Sequence, residues 1–94
     1  MTLKTTKFDV VDYLKNDENI AMYLSEAFET GDEAFIIDAI GIIARAKGMS
    51  DIAAKANLSR PSLYRGLKKS GKPQFGTILA VLSALDIKLS ASAM

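Results

Sequence analysis

Apolar side chains return every three or four residues along most of this chain, the spacing of helices with one buried face. Phe8 to Leu14 reads as a short first helix with Asp9 as its N-cap. Asp17 is placed to cap a second helix, Glu18 to about Thr30, with Ile20, Tyr23, Leu24, Ala27 and Phe28 on one face. Gly31 then suits the left-handed residue that ends a helix. Asp32 opens a third helix, with Glu33 at the positive end of its dipole. That helix runs to about Lys47 with Phe35, Ile36, Ile37, Ile40, Ile43 and Ala44 inward, and Gly48 stops it. Gly41 in its interior costs about 1 kcal/mol relative to alanine, which a close helix crossing would explain.

The next two helices are short. Ser50 is expected to cap one over Asp51 to Ala56, and Asn57 to take the left-handed conformation in a turn. Ser59 caps the following helix, with Pro61 in its first turn and Leu63 and Leu67 four apart on the inner side. Ser70 to Pro73 is a loop. Gln74 to Leu85 forms a sixth helix with Phe75, Ile78, Leu79, Leu82 and Leu85 on one face. Beyond Asp86, Ile87 and Leu89 alternate with Lys88 and Ser90, the period of a short strand. Its backbone would need a partner, either the Leu3 to Lys7 segment or a second subunit. The fold class that follows is all-α, a bundle of five to six helices with a short C-terminal strand.

The stretch Ser50 to Lys69 carries the chemistry. Ala53 and Ala54 are small where a second helix crosses the first, and Leu58 is an apolar lock in the turn. With Leu63 and Leu67 inward, the second helix shows Arg60, Ser62, Tyr64, Arg65, Lys68 and Lys69 outward. A helix, a tight turn and a basic second helix can lay that second helix in the DNA major groove. Arg60 and Arg65 suit bidentate contacts to guanine O6 and N7. Ser62 and Tyr64 suit base or phosphate, and Lys68, Lys69 and Lys72 suit phosphates. The helix starts at Ser50 and Ser59 also favour phosphate.

Charge sharpens this picture. The net charge is +1, but residues 1–43 hold three lysines against nine acids, and residues 44–94 hold nine bases against two acids. A basic half is the footprint of phosphate binding, and an acidic half suits a basic protein partner. The chain has 94 residues, 49% apolar and 24% charged, which fits one globular domain. Acidic helices occupy 1–42, the DNA-binding core 43–87 and the strand or tail 88–94. There is no cysteine and no histidine, so the commonest zinc ligands and the commonest general base are missing. No cofactor, metal site or catalytic residue is expected, and the chain does not read as an enzyme. No apolar run approaches the roughly 20 residues of a membrane span, and the N-terminus lacks a signal peptide, so the expected location is the cytoplasm.

The segment from about Ile43 to Ile87 is similar to the Xre/phage-repressor helix-turn-helix family. The whole chain resembles one of its subfamilies, the HigA-like addiction module antidote (antitoxin) proteins. The carrying motifs are Thr5 to Leu14, Ile43 to Ser50, Leu58 to Tyr64 and Phe75 to Leu79. The resemblance implies a compact helical bundle and an antitoxin of a type II toxin-antitoxin module. Such a protein neutralises a small basic toxin of the RelE/HigB/ParE-like class, usually encoded beside it. It also represses its own operon as a homodimer on palindromic operator DNA. The family's recognition face falls on Arg60, Ser62, Tyr64 and Arg65. Two positions depart from the pattern. Ser50-Asp51 stands where a phosphate-binding glutamine is usual, and Asn57 replaces the glycine of the turn. A stand-alone Xre-type repressor without a toxin is the alternative, and a protein-interaction adaptor that does not bind DNA is a third.

Overall fold

A computed structural model describes residues 13–68 and 71–93. Five helices with both ends among the described residues follow in order: α1 (Asp17–Glu29), α2 (Glu33–Lys47), α3 (Met49–Ala56), α4 (Arg60–Gly66) and α5 (Phe75–Ala84). The architecture of the described residues is all-helical. The expected first helix and its Asp9 cap fall mainly outside the described residues. Leu14, at the end of that segment, is fully buried.

The polar residues between the apolar runs set most of the boundaries. Asn16, one residue before the expected Asp17, caps α1 by accepting from the Asn19 amide at 3.1 Å. Asp17 and Glu18 instead fill the first turn, where their charge meets the helix dipole. Thr30 Oγ1 donates to the Ala27 carbonyl at 2.6 Å, and Gly31 takes φ +64° to reverse the chain. Asp32 then caps α2, its side chain accepting from the Phe35 amide at 3.2 Å.

Between α2 and α3 there is no linker. Gly48 sits at φ +110°, a conformation an L side chain rarely adopts, and ends one helix while starting the next. Its amide donates to the Ala44 carbonyl at 2.9 Å, and its carbonyl accepts from the Ile52 amide at 3.0 Å. This corrects the expected cap at Ser50. The first turn of α3 begins at the buried Met49, so Ser50 lies inside it and makes no capping bond.

The core joins Leu14 with Ile20, Leu24, Ile40, Ile43, Ile52, Leu63, Leu67, Val81, Leu82 and Leu85. α1 packs on α2, and α3 touches α2, α4 and α5, which makes α3 the hub. No charged or polar side chain is buried among the described residues. A Cβ on Gly41 would collide with the Leu67 carbonyl oxygen, so α2 and the end of α4 approach as closely as the glycine predicted. Three residues expected inward are exposed: Phe35, Phe75 and Leu79. Ala54 is exposed as well, leaving Ala53 as the small residue buried at the helix crossing.

The expected C-terminal strand is absent among the described residues. Asp86 takes φ +61°, its amide bonds the Ser83 carbonyl at 3.0 Å, and the Ile87 amide bonds the Leu82 carbonyl at 2.9 Å. These two bonds form a Schellman cap, in which an apolar residue follows the left-handed one and packs back on the helix. Ile87 is thus the apolar contact of a helix end, and it leans on the core. Ile87 to Ser90 line a cleft with Ala21, Leu24, Ser25 and Phe28 of α1. The argument for a dimer from an unpaired strand falls with the strand. Because aspartate is strained in the left-handed region and glycine is not, Asp86→Gly should raise stability by about 0.5–1 kcal/mol. Thermal melting of the two proteins checks this, and a lower melting temperature for the variant would contradict the cap.

Candidate nucleic-acid interface

The turn between α3 and α4 is three residues long, Asn57 to Ser59, and each residue has a separate task. Asn57 adopts φ +61° and ψ +44°, so it replaces the more usual glycine without leaving the left-handed region. The Leu58 amide closes a bond of 2.9 Å onto the Ala53 carbonyl, and its half-buried side chain packs against the core. Ser59 caps α4 by accepting from the Ser62 amide at 3.2 Å. Pro61 occupies the first turn, where its missing N–H costs nothing. Leu63 and Leu67, both fully buried, turn the inner face of α4 to the core.

The outer face then follows from helical spacing. Arg60, Tyr64, Arg65 and Lys68 are exposed, and Ser62 is half-buried beside them. These side chains are braced in two pairs. The Arg60 guanidinium donates to Tyr64 Oη at 3.1 Å and lies 5.5 Å from the ring centroid. Arg65 donates to Ser62 Oγ at 3.2 Å. Each bracing contact consumes one donor, leaving most of the five N–H groups of each guanidinium for another acceptor. Bracing also holds long side chains near one geometry before any ligand arrives. Lys72 is exposed in the loop after α4, and Lys69 lies outside the described residues. Ser50 belongs to α3 and is not part of the α4 set.

Asp51, at the position where the resemblance expects a phosphate-binding glutamine, is exposed. Lys55, one turn later, pairs with it at 3.7 Å. Both partners are exposed, so the pair is weak, but it offsets the carboxylate locally. Lys47 pairs with Asp17 across α2 and α1 at 3.6 Å. Together with Lys15, Lys47 and Lys55 line a polar cleft with Asp51 and Asp86. No group of histidine, cysteine, aspartate or glutamate among the described residues can hold a metal ion. No helix among them is long and apolar enough to cross a membrane.

A second surface escaped the sequence reading. An open apolar groove of about 390 Å³ runs between α2 and α5. Ile36, Ile37 and Ile40 line it from α2 and Phe75, Ile78 and Leu82 from α5, joined by Phe28, Pro73 and Leu89. The signal was present in the sequence as apolar residues on these two helices, but the same residues read equally well as core.

Residues 4–93 match a protein family described as "Probable addiction module antidote protein". The chain is also similar to an uncharacterized protein of Haemophilus influenzae, 40% identical over 88 residues, which covers 94% of this chain and 91% of the relative. No solved structure matches it. The match is nearly end to end, and the chain belongs to the addiction module antidote family. An antidote of an addiction module is an antitoxin, which implies a toxin as its partner.

Proposed function

We propose that this antidote neutralises a small basic RelE/HigB/ParE-like toxin and represses its own operon, binding operator DNA as a homodimer through α3 and α4. The observation that carries the DNA reading is the α4 face, where Arg60, Tyr64, Arg65 and Lys68 are exposed and the opposite side is fully committed to the core. An α-helix with its side chains is about 10–12 Å across, which matches a major groove about 12 Å wide, and the seven residues of α4 make two turns to lie along it. Arg60 and Arg65 read base edges, Ser62 and Tyr64 bond base or phosphate, and Lys68, Lys69 and Lys72 neutralise phosphates. Ser59 fixes the start of α4 and with it the angle of the reading face. Ser50, exposed in the first turn of α3, faces the phosphate backbone in this arrangement. The family supports the toxin partner, and the acidic N-terminal half supports a basic one. The setting for both is the cytoplasm.

The test is titration of the DNA upstream of the protein's own operon at several salt concentrations. Three lysines on each of two protomers predict a slope of log affinity against log salt of about −5. A flat response would remove the DNA reading and leave the toxin reading standing.

A further inference from the structure

We infer that the toxin partner docks in the apolar groove between α2 and α5, presenting an apolar side chain flanked by lysine or arginine. This rests on the antidote reading and adds the surface and the chemistry of the contact. Phe75 opens the groove and is 65% exposed, although it is a large aromatic ring at the start of a helix. Leu89, which also lines the groove, is 40% exposed. Apolar surface gathered around an open cleft marks a protein-binding site, and a central aromatic ring is a common anchor there.

The rim decides the occupant. Gly31 and Glu33 line the groove at the α1–α2 corner, and Glu29 and Asp32 flank them, exposed. Lys72 and Lys88, both exposed, stand next to the lining residues Pro73 and Leu89. Three carboxylates against two ammonium groups leave the rim net negative. Two copies of this chain meeting groove to groove would oppose like-charged rims, because a two-fold contact uses the same patch twice. A basic partner meets the same rim with attraction, which steers its approach as well as its binding. The recognition helix α4 contributes nothing to the groove, so the occupant does not compete for Arg60 or Arg65.

The experiment uses the full chain and the purified toxin encoded beside it. Phe75→Glu removes the anchor and places a carboxylate in the first turn of α5, where the helix dipole favours it. Thermal melting confirms that the variant folds. Toxin affinity should fall at least tenfold while the mass by light scattering and the operator footprint stay as in the parent. Glu33→Lys should slow toxin association several-fold at low salt, with the difference shrinking as salt screens the rim. Unchanged toxin affinity in Phe75→Glu overturns the assignment. A halved mass in that variant overturns it too, and assigns the groove to a second copy. A parent chain that fails to bind the toxin overturns the antidote reading itself, a result visible before any variant is made.

Discussion

Arg60→Ala and Arg65→Ala should each weaken operator binding by about 1–3 kcal/mol, or roughly 5- to 150-fold, and relax specificity at the base each one reads. The expectation comes from the bidentate geometry of guanidinium on guanine, which a methyl group cannot replace. The two variants differ in what else they disturb. Losing Arg60 frees Tyr64 from its hydrogen bond and ring contact, so a second residue proposed to bond base or phosphate loses its brace. Losing Arg65 frees only Ser62 Oγ, whose backbone amide stays held by Ser59. Arg60→Ala should therefore be the costlier of the two. Because both residues share one two-turn helix, the double variant will depart from the sum of the singles. Binding to unrelated DNA should fall much less, since the phosphate contacts proposed for Lys68, Lys69 and Lys72 do not depend on either arginine. Quantitative footprinting of both variants checks this, and unchanged footprints would remove α4 as the reading helix.

Gly41→Ala should lower stability by about 1–3 kcal/mol, although alanine is the better helix former by about 1 kcal/mol. The added methyl would meet the Leu67 carbonyl oxygen, and a backbone atom cannot move aside as a flexible side chain does. For a domain of this size, that corresponds to a melting temperature lower by at least several degrees. Gly76→Ala is the matched control, because nothing lies within 4 Å of a Cβ there. It should hold or raise the melting temperature. Leu67 ends α4, so Gly41→Ala should also tilt the reading helix and weaken operator binding. A Gly41→Ala protein as stable as the parent would contradict the close approach.

Much of this arrangement was legible in the sequence where one residue type has one local task. Asp32 and Ser59 cap helices because their short oxygens reach the third amide on. Asn57 and Gly31 reverse the chain because the left-handed region excludes most other residues. Boundaries failed where two candidates stood side by side. Asn16 and Asp17 are both good caps, and Ser50 lost to Gly48 because the backbone turn at Gly48 left no loop to cap. The strand failed because alternation over four residues does not distinguish an extended segment from a Schellman cap with one apolar foot. Phe35, Phe75 and Leu79 failed because helical spacing identifies a face without saying whether the same chain covers it. The polar candidates Arg60, Ser62, Tyr64 and Arg65 were visible individually, but their pairing depends on rotamers that spacing does not specify.

The direct passage from α2 into α3 through Gly48 has a consequence for how the two surfaces communicate. α2 walls the groove, and α3 carries α4, with no linker between them to act as a hinge. Occupancy of one surface therefore has no domain rotation through which to reach the other. With no α4 residue in the groove, any linkage between the proposed toxin and operator sites would arise from parts of the toxin that extend beyond the groove or from charge brought near the DNA, since a ligand shifts an equilibrium only where two conformations differ in affinity for it. If both proposed surfaces are used, such a protein would act as a rigid platform, regulated by what is bound to it rather than by a change of its shape.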